Sequence, residues 1–309
     1  MKYKTIKLSH TNEIIQTYGV NSLMAKVIES KKIDQKQFKS FMDPHLIYHD
    51  FSLFEEADET LERIEEAIAN KEKICIYGDY DCDGILATTI LVQAFHERGV
   101  EVGYHIPNRF TDGYGLNTTR VEQMAEKGYS LIITVDNGIK AFDAVEKAGE
   151  LGIDVIITDH HAFDGEVPVA YSIIHTKMSP KYPFKEICGG FIAYKLAAAL
   201  LKHHDPYLFT LASITTISDM MPLLDENRSL VRRGLQFMKQ YKYPSLELLK
   251  GSRDYDATTI GFTIAPRINA FGRLPELVNP VYLVKYFLKE ADHAYLEKIS
   301  NYASKINSK

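Results

Sequence analysis

Residues 73–84 read KICIYGDYDCDG, and the fold turns on how that stretch is parsed. Lys73–Tyr77 is a short, β-rich apolar run that suits a buried strand. Gly78 ends it, three aspartates alternate with Tyr80 and Cys82, and Gly84–Arg98 then carries a helical pattern. The same unit recurs downstream. Glu101–Ile106 reads as a strand before a helix over Asn117–Lys127, and Leu131–Val135 (LIITV) as a strand before a helix over Ala141–Leu151. Asp154–Thr158 (DVIIT) is a further strand, and Tyr171–Ile174 is a candidate fifth. Strands alternating with helices of this length predict the α/β class, with a parallel β-sheet flanked by helices. Upstream, Leu61, Ile64 and Ile68 recur at helical spacing among charged residues and predict an amphipathic helix within 55–73.

After Cys188-Gly189-Gly190 the alternation stops. Phe191–His203 and most of 206–309 read as helical, with breaks expected near Pro222, Pro244, Pro266 and Pro275. The expected organisation is an N-terminal arm over 1–50, an α/β core over 51–205 and a helical part over 206–309. The 309 residues are 45% hydrophobic, which excludes collagen-like, disordered and disulfide-framework classes. Lys plus Arg is 36 against 41 Asp plus Glu, a formal net charge of -5, so a globally basic nucleic-acid binder is excluded. A local basic groove, or an acidic site neutralised by metal, stays open. The 3 cysteines are scattered, the first residues are polar, and no apolar run approaches the ~18 residues of a membrane span. The expectation is a soluble, cytoplasmic protein with no membrane association.

Ligands of open parallel sheets bind at the carboxyl ends of the strands. Here those ends read Gly78-Asp79-Tyr80-Asp81-Cys82-Asp83-Gly84, Asp136-Asn137-Gly138 and Asp159-His160-His161. If 79–83 is extended, Asp79, Asp81 and Asp83 share one face while Tyr80 and Cys82 point away. Three such carboxylates repel unless a cation lies between them. Oxygen-rich donors with imidazole suit Mn²⁺ or Mg²⁺, which makes Cys82 a packed residue rather than a ligand. Each piece alone also fits turn or helix-cap chemistry, and it is their convergence at successive strand ends that points to a site.

In this order the motifs resemble the DHH phosphoesterase superfamily and, within it, the RecJ branch of single-strand-specific 5′ exonucleases. The resemblance rests on YGDYDCDG (Tyr77–Gly84), ITVDNGI (Ile133–Ile139), ITDHH (Ile157–His161) and ISDMMPL (Ile217–Leu223). IPNRFTDGYGL (Ile106–Leu116), CGGFIAYKL (Cys188–Leu196) and APRINAFGRL (Ala265–Leu274) support it. The resemblance implies hydrolysis of single-stranded DNA, 5′ to 3′, in repair and recombination, with two Mn²⁺ ions and Mg²⁺ as the alternative. It implies that Asp79, Asp81 and Asp136 hold one ion and that Asp83, Asp136, His160 and Asp219 hold the other, with Asp136 bridging. His161 would then touch the scissile phosphate, and Asp159 would orient an imidazole. Asp219 is selected by the resemblance alone. The implied catalytic group is Asp136, Asp159, His160 and His161.

Substrate contacts are expected from the loop after the second strand (Arg109, Tyr114, Gly115) and from Arg267, Asn269 and Arg273. Arg232 and Arg233 are further candidates for a long strand. Gly189-Gly190 could bring backbone N–H groups to a phosphate, or could mark tight packing. Two departures from the family stand out. The DHH-associated domain with its glycine-rich motif and the oligonucleotide-binding barrel are not visible, so a missing lobe or a partner chain is expected to complete the substrate groove. Tyr77 stands where some relatives place a histidine ligand. The competing readings are a phosphodiesterase for short oligonucleotides or cyclic dinucleotides, and a non-catalytic scaffold in a replication complex.

Overall fold

The computed structural model describes residues 7–43, 45–108, 110–113, 115–274 and 278–307. Strand β1 (Lys73–Tyr77) pairs in parallel with β2 (Gly103–His105) on one side and β3 (Tyr129–Val135) on the other. Beyond β3 lie β4 (Asp154–Thr158) and β5 (Ser172–Ile174), giving a five-stranded parallel sheet in the order β2-β1-β3-β4-β5. The α/β expectation holds, and so does burial of the sheet on both faces.

Alternate strand residues feed two separate cores. Ile74, Ile76, Leu131 and Ile133 pack against α5 (Cys82–Glu97), α8 (Gly189–Leu201) and α9 (Pro206–Ser218). These three helices are apolar nearly all round, as buried helices are. Cys75, Tyr77, Ile132, Val155 and Ile157 face the other way, onto α6 (Thr118–Glu126) and α7 (Phe142–Glu150). The first core runs without a break into the C-terminal helices, through Phe271, Phe287 and Ile299. The amphipathic helix expected within 55–73 is α4 (Ala57–Ala69), whose Arg63 bridges Glu72 and Asp154 at 2.8 and 2.7 Å. The loop after β2 folds back on itself where the Asp112 carboxylate accepts from Arg120 at 2.8 Å and from Asn108 N–H at 3.0 Å.

The arm comprises α1 (Thr11–Tyr18), α2 (Ser22–Ser30) and α3 (Gln35–Met42), around a small core of Ile28, Ile33 and Phe41. After α9 come α10 (Asp225–Tyr241), α11 (Pro244–Lys250), α12 (Ala257–Thr259), a π turn (Ile260–Ile264), α13 (Ala265–Arg273), α14 (Val281–Phe287) and α15 (His293–Asn307). Pro222 lies in the turn between α9 and α10 and Pro244 opens α11, as expected. Pro266 does not break the chain: it sits in the first turn of α13, directly after the π turn. Pro275 lies outside the described residues. The Lys195–Glu226 pair, 2.7 Å apart and fully buried, joins α8 to α10. Glu226 also accepts from Tyr182 Oη at 2.6 Å, while Lys195 Nζ sits 3.9 Å from the Tyr48 ring centroid. Among the described residues no helix is long and apolar enough to cross a membrane.

Candidate metal centre

The strand order reverses between β1 and β3, so their carboxyl ends flank a crevice. The β1 end does not continue extended through the three aspartates. Asp81 caps α5, its carboxylate accepting from Gly84 N–H at 3.1 Å, and Asp83 lies in the first turn of that helix. The expected sharing of one face by Asp79, Asp81 and Asp83 is therefore corrected: an Asp N-cap satisfies an otherwise orphan helix N–H and starts α5 at Cys82. The turn splits the string between two groups of donors. Oxygens of Asp79, Asp81 and Asp136 lie within 4.8 Å of one another, and so do donors of Asp83, His160 and Asp219. Asp136, His160 and His161 form a third such set that links the other two.

Asp136 occupies the pivot at the β3 end. Its φ of 61° is left-handed, and its N–H extends the ladder to Thr158 O at 3.0 Å. Its Oδ1 lies 3.1 Å from His160 Nε2. Asn137 ties the two strand ends together, donating to Tyr77 O at 3.1 Å and Val135 O at 2.9 Å. At the β4 end, Asp159 Oδ1 meets His161 Nδ1 at 2.7 Å, and its Oδ2 accepts from Ile139 N–H at 3.0 Å. Asp219 arrives from elsewhere, as the C-cap of α9, with Oδ2 3.5 Å from His160 Nε2.

Gly189 and Gly190 turn out to serve the acidic group directly. At the start of α8 their N–H groups donate to the two oxygens of Asp83, each at 2.8 Å. A Cβ on Gly189 would fall 2.6 Å from Asp136 Cβ, and one on Gly190 2.5 Å from the Thr215 side chain. Both halves of the pair are thus fixed by close approach, and their donors are committed to Asp83 rather than left for a phosphate.

The electrostatics are those of carboxylates crowded away from water. Burial, then Asp81, pushes Asp79 up to about 7. Burial, then Asp83, pushes Asp219 up to about 7 and raises Asp136 as well. His160 is lowered by burial, while the Asp159 hydrogen bond raises His161. Burial opposes the Asp159 charge most strongly, but the His161 bond and charge and the N–H groups of Ile139 and His161 together outweigh it and hold the carboxyl low. Asp79 Oδ1, Asp136 Oδ1 and His160 Nε2 are buried with no hydrogen-bond partner. Such atoms typically cost about 1–3 kcal/mol each when left unsatisfied. Oxygen and imidazole donors of this kind fit divalent Mn²⁺ or Mg²⁺, and each orphan atom is one a cation would satisfy. Cys82 is buried and packed, its thiol pushed up by burial.

Residues 73–218 match the DHH family, N-terminal domain. The chain carries a DHH-family N-terminal domain. It is 43% identical over 232 residues to the single-stranded-DNA-specific exonuclease RecJ of Bacillus subtilis, covering 73% of this chain and 30% of the relative. The crystal structure of RecJ in complex with Mn²⁺ from Thermus thermophilus matches with a TM-score of 0.79 and 28% identity, over 98% of this chain and 44% of that one. A crystal structure of exonuclease RecJ bound to manganese matches with a TM-score of 0.75 and 31% identity, over 82% of this chain and 66% of that one. The chain therefore spans less than a third of the length of the Bacillus relative.

Around the DHH centre, the residues expected to touch substrate fall into different places. Gly115 borders a cavity of about 530 Å³ that is also lined by Ile139, Lys140, Asp159 and His161. Arg109 and Tyr114 lie outside the described residues. Asn269 is turned inward: its Oδ1 accepts from Cys82 N–H at 2.7 Å. One turn on, a Cβ at Gly272 would lie 1.9 Å from Tyr80 O, so α13 clamps the aspartate loop from outside. Arg267 donates to Leu249 O, and Arg273 is exposed at the end of α13. Tyr77 points to the α6–α7 face, with its Oη donating to Gly115 O at 3.1 Å, away from the carboxylates. Two supports escaped the sequence reading. They are Asn137, hidden in what reads as a turn, and His175, whose Nε2 meets His161 O at 2.9 Å.

Proposed function

We propose that this chain is a metal-dependent phosphodiesterase that hydrolyses single-stranded DNA as a 5′→3′ exonuclease of RecJ type, acting in DNA repair and recombination. The observation that carries the proposal is the set of three buried atoms without a hydrogen bond, Asp79 Oδ1 and the facing Asp136 Oδ1 and His160 Nε2, among five aspartates grouped around the sheet's switch point. The RecJ relatives that bind Mn²⁺ or Mg²⁺ support it. Asp79, Asp81 and Asp136 would hold one Mn²⁺ (or Mg²⁺), and Asp83, Asp136, His160 and Asp219 the second. When bound, such a pair activates water and stabilises charge on the attacked and leaving oxygens.

The chain's own residues do the rest. Asp159 fixes the His161 ring and favours its protonated form, so His161 is oriented as a donor beside the centre. His161 also lines the 530 Å³ cavity, a volume in the range of small-ligand sites, where a terminal nucleotide would lie with Gly115 beneath it. Lys140 adds positive charge at that rim. No side-chain nucleophile is required. We assign 1–50 to a helical arm, 51–205 to the DHH core and 206–309 to the helical part that delivers Asp219. The chain's three buried, unpaired cysteines suit a reducing, cytoplasmic setting.

The test is Mn²⁺-dependent degradation of a 5′-labelled single strand, beside duplex DNA, a dinucleotide and an Asp136→Asn control. Mononucleotide release from the single strand, lost in the control, is the expected result. Cleavage of the dinucleotide alone would move the chain to small substrates, and no cleavage with metal bound would leave a scaffold.

A further inference from the structure

Away from the metal centre, a cavity of about 280 Å³ lies between the arm and α10, lined by His45, Leu46, Ser229, Arg232, Arg233 and Gln236. Its lining carries two guanidinium groups and an imidazole and no carboxylate. Some arginines of the chain are neutralised by carboxylates: Arg63 by Glu72 and Asp154, Arg98 by Glu65, Arg120 by Asp112. Arg228, Arg232 and Arg233 are not. Among the described residues their partners are neutral: Arg228 Nε donates to Phe41 O at 2.9 Å, Arg232 to Asp43 O at 2.8 Å, and Arg233 to Gln236 at 3.1 Å. The Asp43 carboxylate is turned onto the His45 N–H at 2.8 Å.

A like-charged pair at i,i+4, such as Arg228 and Arg232, costs an isolated helix about 0.2–0.5 kcal/mol. A chain with excess acid could supply carboxylates to such a cluster, yet leaves it unpaired. Each of the two lining guanidiniums has five N–H donors and uses one on a neutral oxygen. Ser229 Oγ accepts from Ile47 N–H at 3.0 Å, which leaves its own hydrogen to donate. Planar donors with uncompensated charge lining one cavity fit a tetrahedral oxyanion. α10 opens just beyond Asp219, so this cavity and the metal centre are carried by consecutive helices.

We propose that the His45–Ser229–Arg232–Arg233 cavity is a phosphate-binding site, and that it grips a backbone phosphate of the single strand whose end lies at the metal centre. The strand as source rests on the phosphodiesterase reading; the site's preference for phosphate does not.

The experiment compares wild type with Arg232→Gln/Arg233→Gln and Arg232→Lys/Arg233→Lys. Binding of a labelled 20-nucleotide single strand is followed by anisotropy in EDTA from 50 to 200 mM salt. Each phosphate contact to a single strand contributes about 0.7 to the slope of log K against log salt. The Gln variant should flatten that slope by about 0.7–1.4 and bind about tenfold more weakly at the low-salt end. The Lys variant should keep the slope and lose affinity, because it retains charge without the planar fork. Inorganic phosphate should raise the Tm of wild type but not of the Gln variant. Mn²⁺-induced stabilisation and dinucleotide hydrolysis should match wild type in all three proteins.

A missing phosphate shift in wild type overturns the site. A phosphate shift with an unchanged slope, or no strand binding by wild type, overturns the strand as its source and leaves a free-anion site. If wild type cleaves nothing while the Gln variant still flattens the slope, the phosphodiesterase reading fails and the phosphate site stands.

Discussion

Replacing Asp136 with Asn should stabilise the metal-free protein and abolish its response to Mn²⁺. Asp136 is 2% exposed, and its carboxylate lies within 4.8 Å of donor oxygens from both Asp79 and Asp81. Two unit charges about 5 Å apart repel by roughly 3 kcal/mol at an effective dielectric near 20. Partial protonation reduces this, since Asp79 is itself pushed up to about 7. A net gain of about 1–3 kcal/mol on removing the charge is therefore expected. Asn suits the backbone as well, because the φ of 61° falls in the left-handed region that Asn tolerates. Asp136→Ala removes the same charge but loses about 1–2 kcal/mol to that conformation, so its gain should largely vanish. The assay is thermal unfolding in EDTA and in Mn²⁺. At roughly 2 °C per kcal/mol for a chain of this size, the Asn variant should melt about 2–6 °C above wild type in EDTA. Mn²⁺ at a hundred times its Kd should stabilise wild type by about 2.7 kcal/mol per site, and the variant by almost nothing. An Asn variant that melts below wild type in EDTA, or keeps the full Mn²⁺ shift, would refute the reasoning.

Three further outcomes follow from the same geometry. Asp79 and Asp219 are held at about 7 in the folded chain against a usual 3.8, so the metal-free fold binds extra protons and loses stability as pH rises through that window. A cation must displace those protons, so the Mn²⁺-induced rise in Tm should grow between about pH 6 and 8; a pH-independent rise contradicts this. Gly272→Ala sets a Cβ against Tyr80 O, 1.9 Å away before relaxation, and should cost roughly 2–4 kcal/mol in urea unfolding while weakening Mn²⁺ binding. Unchanged stability would show that α13 does not clamp the loop. Asp112, where Arg120 and the Asn108 N–H overcome the effect of burial, is lowered to about 2. Its stabilisation, at most about 2 kcal/mol, is complete above pH 4 and lost as pH falls toward 2, so Arg120→Gln should flatten the acid limb of the stability profile.

The sheet was legible because LIITV and DVIIT are buried on both faces and so read as continuous apolar runs, each ending on a polar motif. What sequence spacing misjudged was the string Asp79–Asp83, where capping by Asp81 overrode strand alternation and turned Asp83 toward α8. Asp219 carries no local signal, since a carboxylate at a helix C-cap reads as ordinary; only tertiary packing of α9 brings it to His160. Asn269 reads from its place between two arginines as a substrate contact, while its Oδ1 accepts from a backbone N–H 187 residues away, a bond with no sequence signal. Gly189-Gly190 left two readings open, and the choice depended on Asp83 and Asp136 arriving from other strand ends.

The central claim is that one centre, pivoting on Asp136, is built for two divalent ions. Counting bound Mn²⁺ by isothermal titration with parallel electron paramagnetic resonance tests it most directly. Two ions per chain in wild type, one in Asp219→Asn and none held tightly in Asp136→Asn are predicted. Two ions retained by Asp136→Asn, or none bound by wild type, would contradict it.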